Sequence, residues 1–247
     1  MGQWEASVCM RILSPDHTDG AARVALSRDI IVREALVVID ELGPEGLSMR
    51  RLGQRLGVQA MSLYSYVSGR EDLLEAVVAY LLQDVTEGLD ADLTHTWQGY
   101  LQALAHQVRR IAVDHPQAFP LVATRHPATP WLRPPLRSVH IVEDMLANLS
   151  ANGFDDAKMV GVYRSFSSFL LGQLLLEAAT HGANTGPAEE PLNEGNAPIP
   201  NDDVDVDLDD APIVTRLRPM LSEDHSTKEF EIGLETLLNR LEMELSQ

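Results

Sequence analysis

Residues 47–74 read LSMRRLGQRLGVQAMSLYSYVSGREDLL. Ser48 has the character of an N-cap, because its hydroxyl can accept from an orphan N–H of a helix that opens behind it. Leu52 and Leu56 lie four apart on one face, and Gly57 ends that short helix as a residue able to take positive φ. A second short helix is expected from about Gln59 to Tyr66, and Gly69 breaks it. Leu56, Val58, Leu63 and Val67 are the apolar residues that would hold the pair together. Two short helices joined through Gly57-Val58 form a helix-turn-helix candidate.

The flanks complete a small helical platform. Before the pair, a helix opens at Ser27 with Asp29 in its first turn. Ile31, Ala35, Val38, Ile39 and Leu42 make its apolar face, and Gly43-Pro44 stops it. After the pair, Leu73, Leu74, Val77, Val78, Leu81, Leu82 and Val85 mark a long helix. Further on, Trp97, Leu101, Leu104, Val108 and Ile111 share a helical face. Leu136 to Leu149 forms another helix, closed by Asn152-Gly153. Residues 155–181 read as a helix apolar nearly all round, with Gly161, Ser165, Ser168 and Gly172 as small residues, so it is expected to be buried on more than one side. A last helix covers about Ser226 to Leu245. No strand alternation of useful length occurs. The expectation is an all-α protein with an arm at 1–26, a helix-turn-helix domain at 27–72 and a helical domain at 73–247.

Charge is distributed unevenly. The 247 residues carry 19 Lys+Arg against 37 Asp+Glu, a net charge of −18. Taken whole, that argues against a nucleic-acid partner. From Gly46 to Arg70, however, there are four arginines (Arg50, Arg51, Arg55, Arg70) and no acid. From Ala183 to Pro212 there are nine acids and no base, so half of the net negative charge sits in one Pro-, Gly- and Asn-rich stretch. Residues 183–210 are expected to be a disordered loop that solvates the surface. The local asymmetry is the informative signal.

The helix-turn-helix segment has the chemistry to meet DNA. Ser48 and Arg50 start its supporting helix, where backbone N–H groups also face phosphates. Gln59, Ser62, Tyr64 and Tyr66 lie on or beside the second helix, which would enter the major groove. Arg70 follows as a phosphate clamp. Met49 and Met61 are expected to pack.

Residues 27–85 resemble the DNA-binding domain of TetR-family transcriptional regulators. The Leu-Ser opening, the Leu-Gly-Val turn, Ser-Leu-Tyr in the second helix and Arg-Glu-Asp-Leu-Leu at the start of the next carry that resemblance. It implies operator-contacting positions for Arg50, Ser62, Tyr64 and Tyr66, and a phosphate-contacting position for Arg70. Ser62 and Tyr66 stand where Thr and His are usual, which leaves the base preference open. TWQGYLQALAHQVRR, the helix around WLRPPLRSVHIVEDMLANLSANGFDDAKMV and the closing FEIGLETLLNRLE are similar to the ligand-binding half of the tetracycline-repressor subgroup. That similarity implies a homodimer through the helices near 155–181 and 226–245. Where tetracycline repressors place His, Asn, Phe and His around drug and magnesium, this chain has Thr86, Leu104, Val108 and Leu121. Neither tetracycline nor Mg²⁺ is therefore expected. A small, more apolar ligand is expected in a pocket drawing on Trp97, Tyr100, Leu104, Val108 and Leu121.

Several function classes lack residues. The eight histidines include no HExxH or other tight ligand spacing, so no metal or other cofactor is expected. The acids from Asp203 onward are not a calcium loop, because its sixth and twelfth positions hold Leu208 and Val214. No Gly-rich phosphate loop, GxSxG elbow or Cys/His pair supports an enzyme, and no catalytic residue is assigned. Cys9 is the only cysteine, and Arg11 interrupts the apolar run from Val8 to Leu13. The longest apolar candidate, Phe169 to Ala179, is short of the roughly 18 residues of a membrane span and carries Gln173 and Glu177. A soluble, cytoplasmic protein without a membrane partner is expected. The reading is a ligand-responsive regulator, with repression preferred over activation or ligand-independent control. An all-α enzyme or a non-DNA interaction module is the more distant alternative.

Overall fold

The computed structural model describes residues 26–87, 89, 94–123, 132–183, 213, 216–217, 223 and 225–245. The expected arm, up to residue 25, and the expected acidic loop beyond Ala183 lie outside them. Among the described residues the regular structure is helical, with no strand.

Local signals set most helix ends. Helix α1 (Arg28–Leu42) starts where the Ser27 side chain accepts from the Ile30 N–H, and ends at Gly43, φ 72°, whose N–H returns to the Ile39 carbonyl. A 3₁₀ turn (Pro44–Gly46) leads to α2 (Met49–Arg55), capped by Ser48 on the Arg51 N–H. Gly57, at φ 67°, turns the chain into α3 (Ala60–Leu63). Helix α4 (Arg70–Leu82) follows.

The second short helix is shorter than the expected Gln59–Tyr66. After Leu63 the backbone passes through turns, with the N–H groups of Tyr66 and Val67 both donating to the Leu63 carbonyl. Leu63 and Val67 are buried, and Arg28 takes the Tyr66 carbonyl at 2.8 Å. These long-range anchors override the helical continuation that the pattern suggested.

The larger unit is built from α5 (Trp97–Asp114), α6 (Phe119–Val122), α7 (Val139–Ala151), α8 (Asp156–Thr180) and α9 (Ser226–Leu245). Thr96, Ser138 and Asp155 cap α5, α7 and α8. Helix α8 packs against α5, α6, α7 and α9, so its length and apolarity serve a helical core. Glu177, on α8, is 2% exposed. It accepts two hydrogen bonds from Arg109 on α5, at 3.0 and 2.6 Å. Arg109 also reaches Thr227 and lies over the Phe230 ring of α9. A buried carboxylate needs such pairing, because desolvation penalises it heavily.

Two hydrophobic cores meet inside α4. Leu73, Leu74 and Val77 pack with α1 and the helix-turn-helix. Val78 and Leu82 pack with the larger unit. Within α4 the packing passes from one core to the other around Val77 and Val78, with Tyr80 and Leu81 still against the first. Ala118, just before α6, enters the first core, while Leu81 and Leu121 touch both. Polar contacts reinforce the joint: His115 Nδ1 lies 2.8 Å from an Asp40 oxygen of α1, and Arg137 pairs with Glu75 of α4.

Gly53 marks the tightest backbone approach of α2 to the turn. A Cβ there would sit 2.9 Å from the Val58 carbonyl oxygen and 3.1 Å from the Ala60 nitrogen. Gly53→Ala should therefore lose about 1–3 kcal/mol in denaturant unfolding from overpacking, despite alanine's better helix propensity. No loss of stability would show that the turn can yield. A second prediction concerns pH. The Asp40 hydrogen bond is the main cause that raises the His115 pKa above its ordinary 6.5, against partial desolvation. A raised folded pKa stabilises fully below the unfolded value and loses that contribution as pH rises through the folded value. Unfolding free energies taken between mildly acid and mildly alkaline pH should fall for this reason, and His115→Gln should remove that part of the slope.

Candidate nucleic-acid interface

The exposed surface around α2 and α3 is narrow and contiguous in sequence. Gln59, Met61, Ser62, Tyr64 and Tyr66 are exposed, whereas Leu63 between them is fully buried. Met61 was expected to pack but is 74% exposed, because two positions along the helix set it about 200° away from the buried Leu63. Met49 does pack against the first core. Ser48 is exposed while its hydroxyl holds the Arg51 N–H at 3.2 Å. The α3 segment thus offers two phenols, a hydroxyl, an amide and a thioether. Such groups can hydrogen-bond base edges or touch thymine methyls.

The arginines of this domain divide sharply by role. Arg55 pairs with Glu34 and Glu41 of α1. Arg51 donates to the Gly46 carbonyl. Arg28 holds Asp72 at 2.9 Å, and this hydrogen bond, with a further one from the Ser68 N–H, keeps the Asp72 carboxyl below its ordinary pKa. Arg70, expected as a phosphate clamp, is turned inward. Its guanidinium donates to the carbonyls of Pro44 at 2.9 Å and Leu47 at 3.2 Å, and it pairs with Glu71. It therefore fixes the α1–α2 connection, an arrangement set by residues more than twenty positions away. Arg50 is exposed and makes no hydrogen bond or ion pair with the described residues. Arg51 also has no acid paired to it, but its guanidinium is held on a carbonyl, whereas that of Arg50 is held by no described residue.

The expected ligand-pocket residues are not gathered around one space. Leu104 and Val108 are packed in the core, at 1% and 0% exposure. Leu121 sits between the two cores. Trp97 meets Phe154 edge-on at 5.5 Å and lines one small cavity. Tyr100 lines a different cavity of about 560 Å³, between the segment after α4, α5 and α7. Its walls include Thr86, Glu87, His140, Asp144 and Asn148. Leu104 and Val108 fill the core instead of lining this space, and Leu89 and Ala147 supply apolar wall there. Among the described residues, no cluster of three or more His, Cys, Asp or Glu is placed to hold a metal ion.

A compact helix-turn-helix head, joined by one shared helix to a larger all-helical unit, defines a class of DNA-binding regulators. Residues 31–77 match the pattern of "Bacterial regulatory proteins, tetR family", and residues 91–245 match that of a "Tetracyclin repressor-like, C-terminal domain". The chain belongs to the tetR family and is a DNA-binding transcriptional regulator of its ligand-responsive kind. It is 31% identical to an HTH-type transcriptional regulator of Saccharopolyspora erythraea, over 62% of this chain and 61% of that protein. It is 25% identical to the class D tetracycline repressor protein of Escherichia coli, over 90% of this chain and 91% of that one. The crystal structure of a possible TetR family transcriptional regulator from Streptomyces coelicolor superposes with a TM-score of 0.64 at 26% identity, covering 88% and 99% of the two chains.

The division among arginines can be measured. Arg50→Ala should weaken binding to duplex DNA, lower its salt slope by about one and leave thermal unfolding unchanged. Arg55→Ala should instead lower the unfolding temperature. An Arg50→Ala protein with wild-type affinity and slope would remove this residue from the interface.

Proposed function

We propose that this protein is a homodimeric repressor that binds a pseudo-palindromic operator and leaves it when a small molecule enters the larger unit. The observation that carries the reading is the exposed α3 face beside the unpaired Arg50. Two such faces would enter successive major grooves about 34–36 Å apart. Arg50 and the Ser48 end of α2 would fix register on phosphates, while Gln59, Met61, Ser62, Tyr64 and Tyr66 would meet bases. Arg70 would act indirectly, by holding the connection in front of α2.

The surface of α8 supports self-association. Val160 and Leu176 are exposed, and a Cβ at Gly161 or Gly172 would meet nothing within 4 Å. On α9, Ile232 and Met243 are exposed as well. A second copy laying its own α8 and α9 there would cover these apolar side chains, and the glycines would permit close approach. Release would follow from the joint: α4 and the Ala118–Leu121 segment contribute to both cores, so moving one displaces the other. The effector must favour the released state by a few kcal/mol, since equal affinity for both states shifts nothing. The protein would work in the cytoplasm, where operator DNA is, and no catalytic step is assigned to it.

Selection from a randomised duplex pool near physiological salt tests the reading. An enriched inverted repeat is the expected result. A cooperatively folded dimer that enriches no sequence, with or without extracted metabolites, would overturn it.

A further inference from the structure

Arg28 stands where its own helix does not favour a cation. It is the first residue of α1, at the end whose free N–H groups carry the positive pole of the helix dipole. Its side chain reaches instead to two later segments. One guanidinium nitrogen donates to the Tyr66 carbonyl at 2.8 Å, and the other to Asp72 Oδ1 at 2.9 Å. Asp72 Oδ2 accepts from the Ser68 N–H at 2.8 Å. Arg28 and Asp72 together therefore grip residues 66–68, the stretch between α3 and α4, from both of its ends.

Folding stability gives little reason for this clamp. The Arg28 side chain is 46% exposed and that of Asp72 32%, and ion pairs so open to solvent contribute little. The core already anchors the stretch through the buried Leu63 and Val67. Tyr66 lies between these anchors, with its ring exposed on the same surface as Tyr64 and Ser62. Its hydroxyl sits at the far end of a long, stiff side chain, so a small backbone rotation carries it a long way. The Arg28 guanidinium, engaged by a carbonyl and a carboxylate, acts on that backbone directly.

We propose that Arg28 is a positioning residue for sequence recognition: it fixes the Tyr66 backbone so that the phenol meets its base at a set place in the major groove. Arg28 itself touches neither phosphate nor base. This rests on the operator reading, in which Tyr66 meets bases.

The test uses the full chain, the duplex that the wild-type protein enriches from the randomised pool, and a shuffled duplex of equal length and composition. Arg28→Ala should bind the enriched duplex about tenfold more weakly, in the range of one lost base contact. It should bind the shuffled duplex as wild type does, with an unchanged salt slope, because no phosphate contact is lost. In a Tyr66→Ala background, adding Arg28→Ala should weaken binding by at most about twofold more, since the group it positions is gone. Three results overturn the proposal: wild-type affinity in Arg28→Ala, a loss that persists in full beside Tyr66→Ala, or a salt slope lowered by about one, which would make Arg28 a phosphate contact. Failure of the operator reading is a different result, a folded wild-type protein that enriches no sequence, and it overturns both.

Discussion

Helix α4 has to satisfy two cores at once, and the rest of the molecule is arranged around that demand. Val77 and Val78 are neighbours in sequence, yet one is buried against α1 and the other against the larger unit. Adjacent helical positions point about 100° apart, so a single helix can be shared in this way. Because both cores are close-packed, neither end of α4 can move without the other responding. The Ala118–Leu121 segment, the Asp40–His115 contact and the Glu75–Arg137 pair reinforce the same joint. A regulator needs such a connection between the site that senses and the surface that reads DNA.

Electrostatics in the head follow from the same economy. Its arginines look like a phosphate-binding set when read along the chain, but most of them are consumed in holding the platform together. Arg55 ties α2 to α1, Arg28 ties α1 to the end of the α3 segment, and Arg70 grips the loop before α2. A platform of such short helices has little apolar surface, and these charge-assisted hydrogen bonds supply rigidity that packing alone would not. Arg50 is left to face outward. The acid-rich remainder of the chain would repel DNA elsewhere, which would concentrate binding on this small surface.

In the larger unit, apolarity and charge are placed with equal economy. Helix α8 buries Glu177 against Arg109 where three helices converge, and leaves small or apolar residues on its outer side. The Glu177 pair fixes how α5, α8 and α9 meet. The Tyr100 hydroxyl departs from this satisfied pattern, since it is buried without a hydrogen-bond partner.

Short-range signals along the chain were enough for the helical class, the helix-turn-helix and most helix starts. Those rest on interactions within a few residues: Ser27 and Ser48 cap the turns that follow them, Gly57 takes a positive φ, and apolar residues recur at helical spacing. The exposure of Gln59, Ser62, Tyr64 and Tyr66 was also legible, while that of Met61 was not. What each polar side chain does was settled by long-range packing. Arg50 and Arg70 are alike in the chain, but one faces outward and the other reaches carbonyls 23 and 26 residues away. Likewise Leu104 and Val108 fill the core while Tyr100 lines the cavity, although all three lie on α5. Local periodicity tells which side of a helix is buried. Which partner or which void that side meets depends on contacts between segments far apart in sequence, and these exist only once the helices have packed.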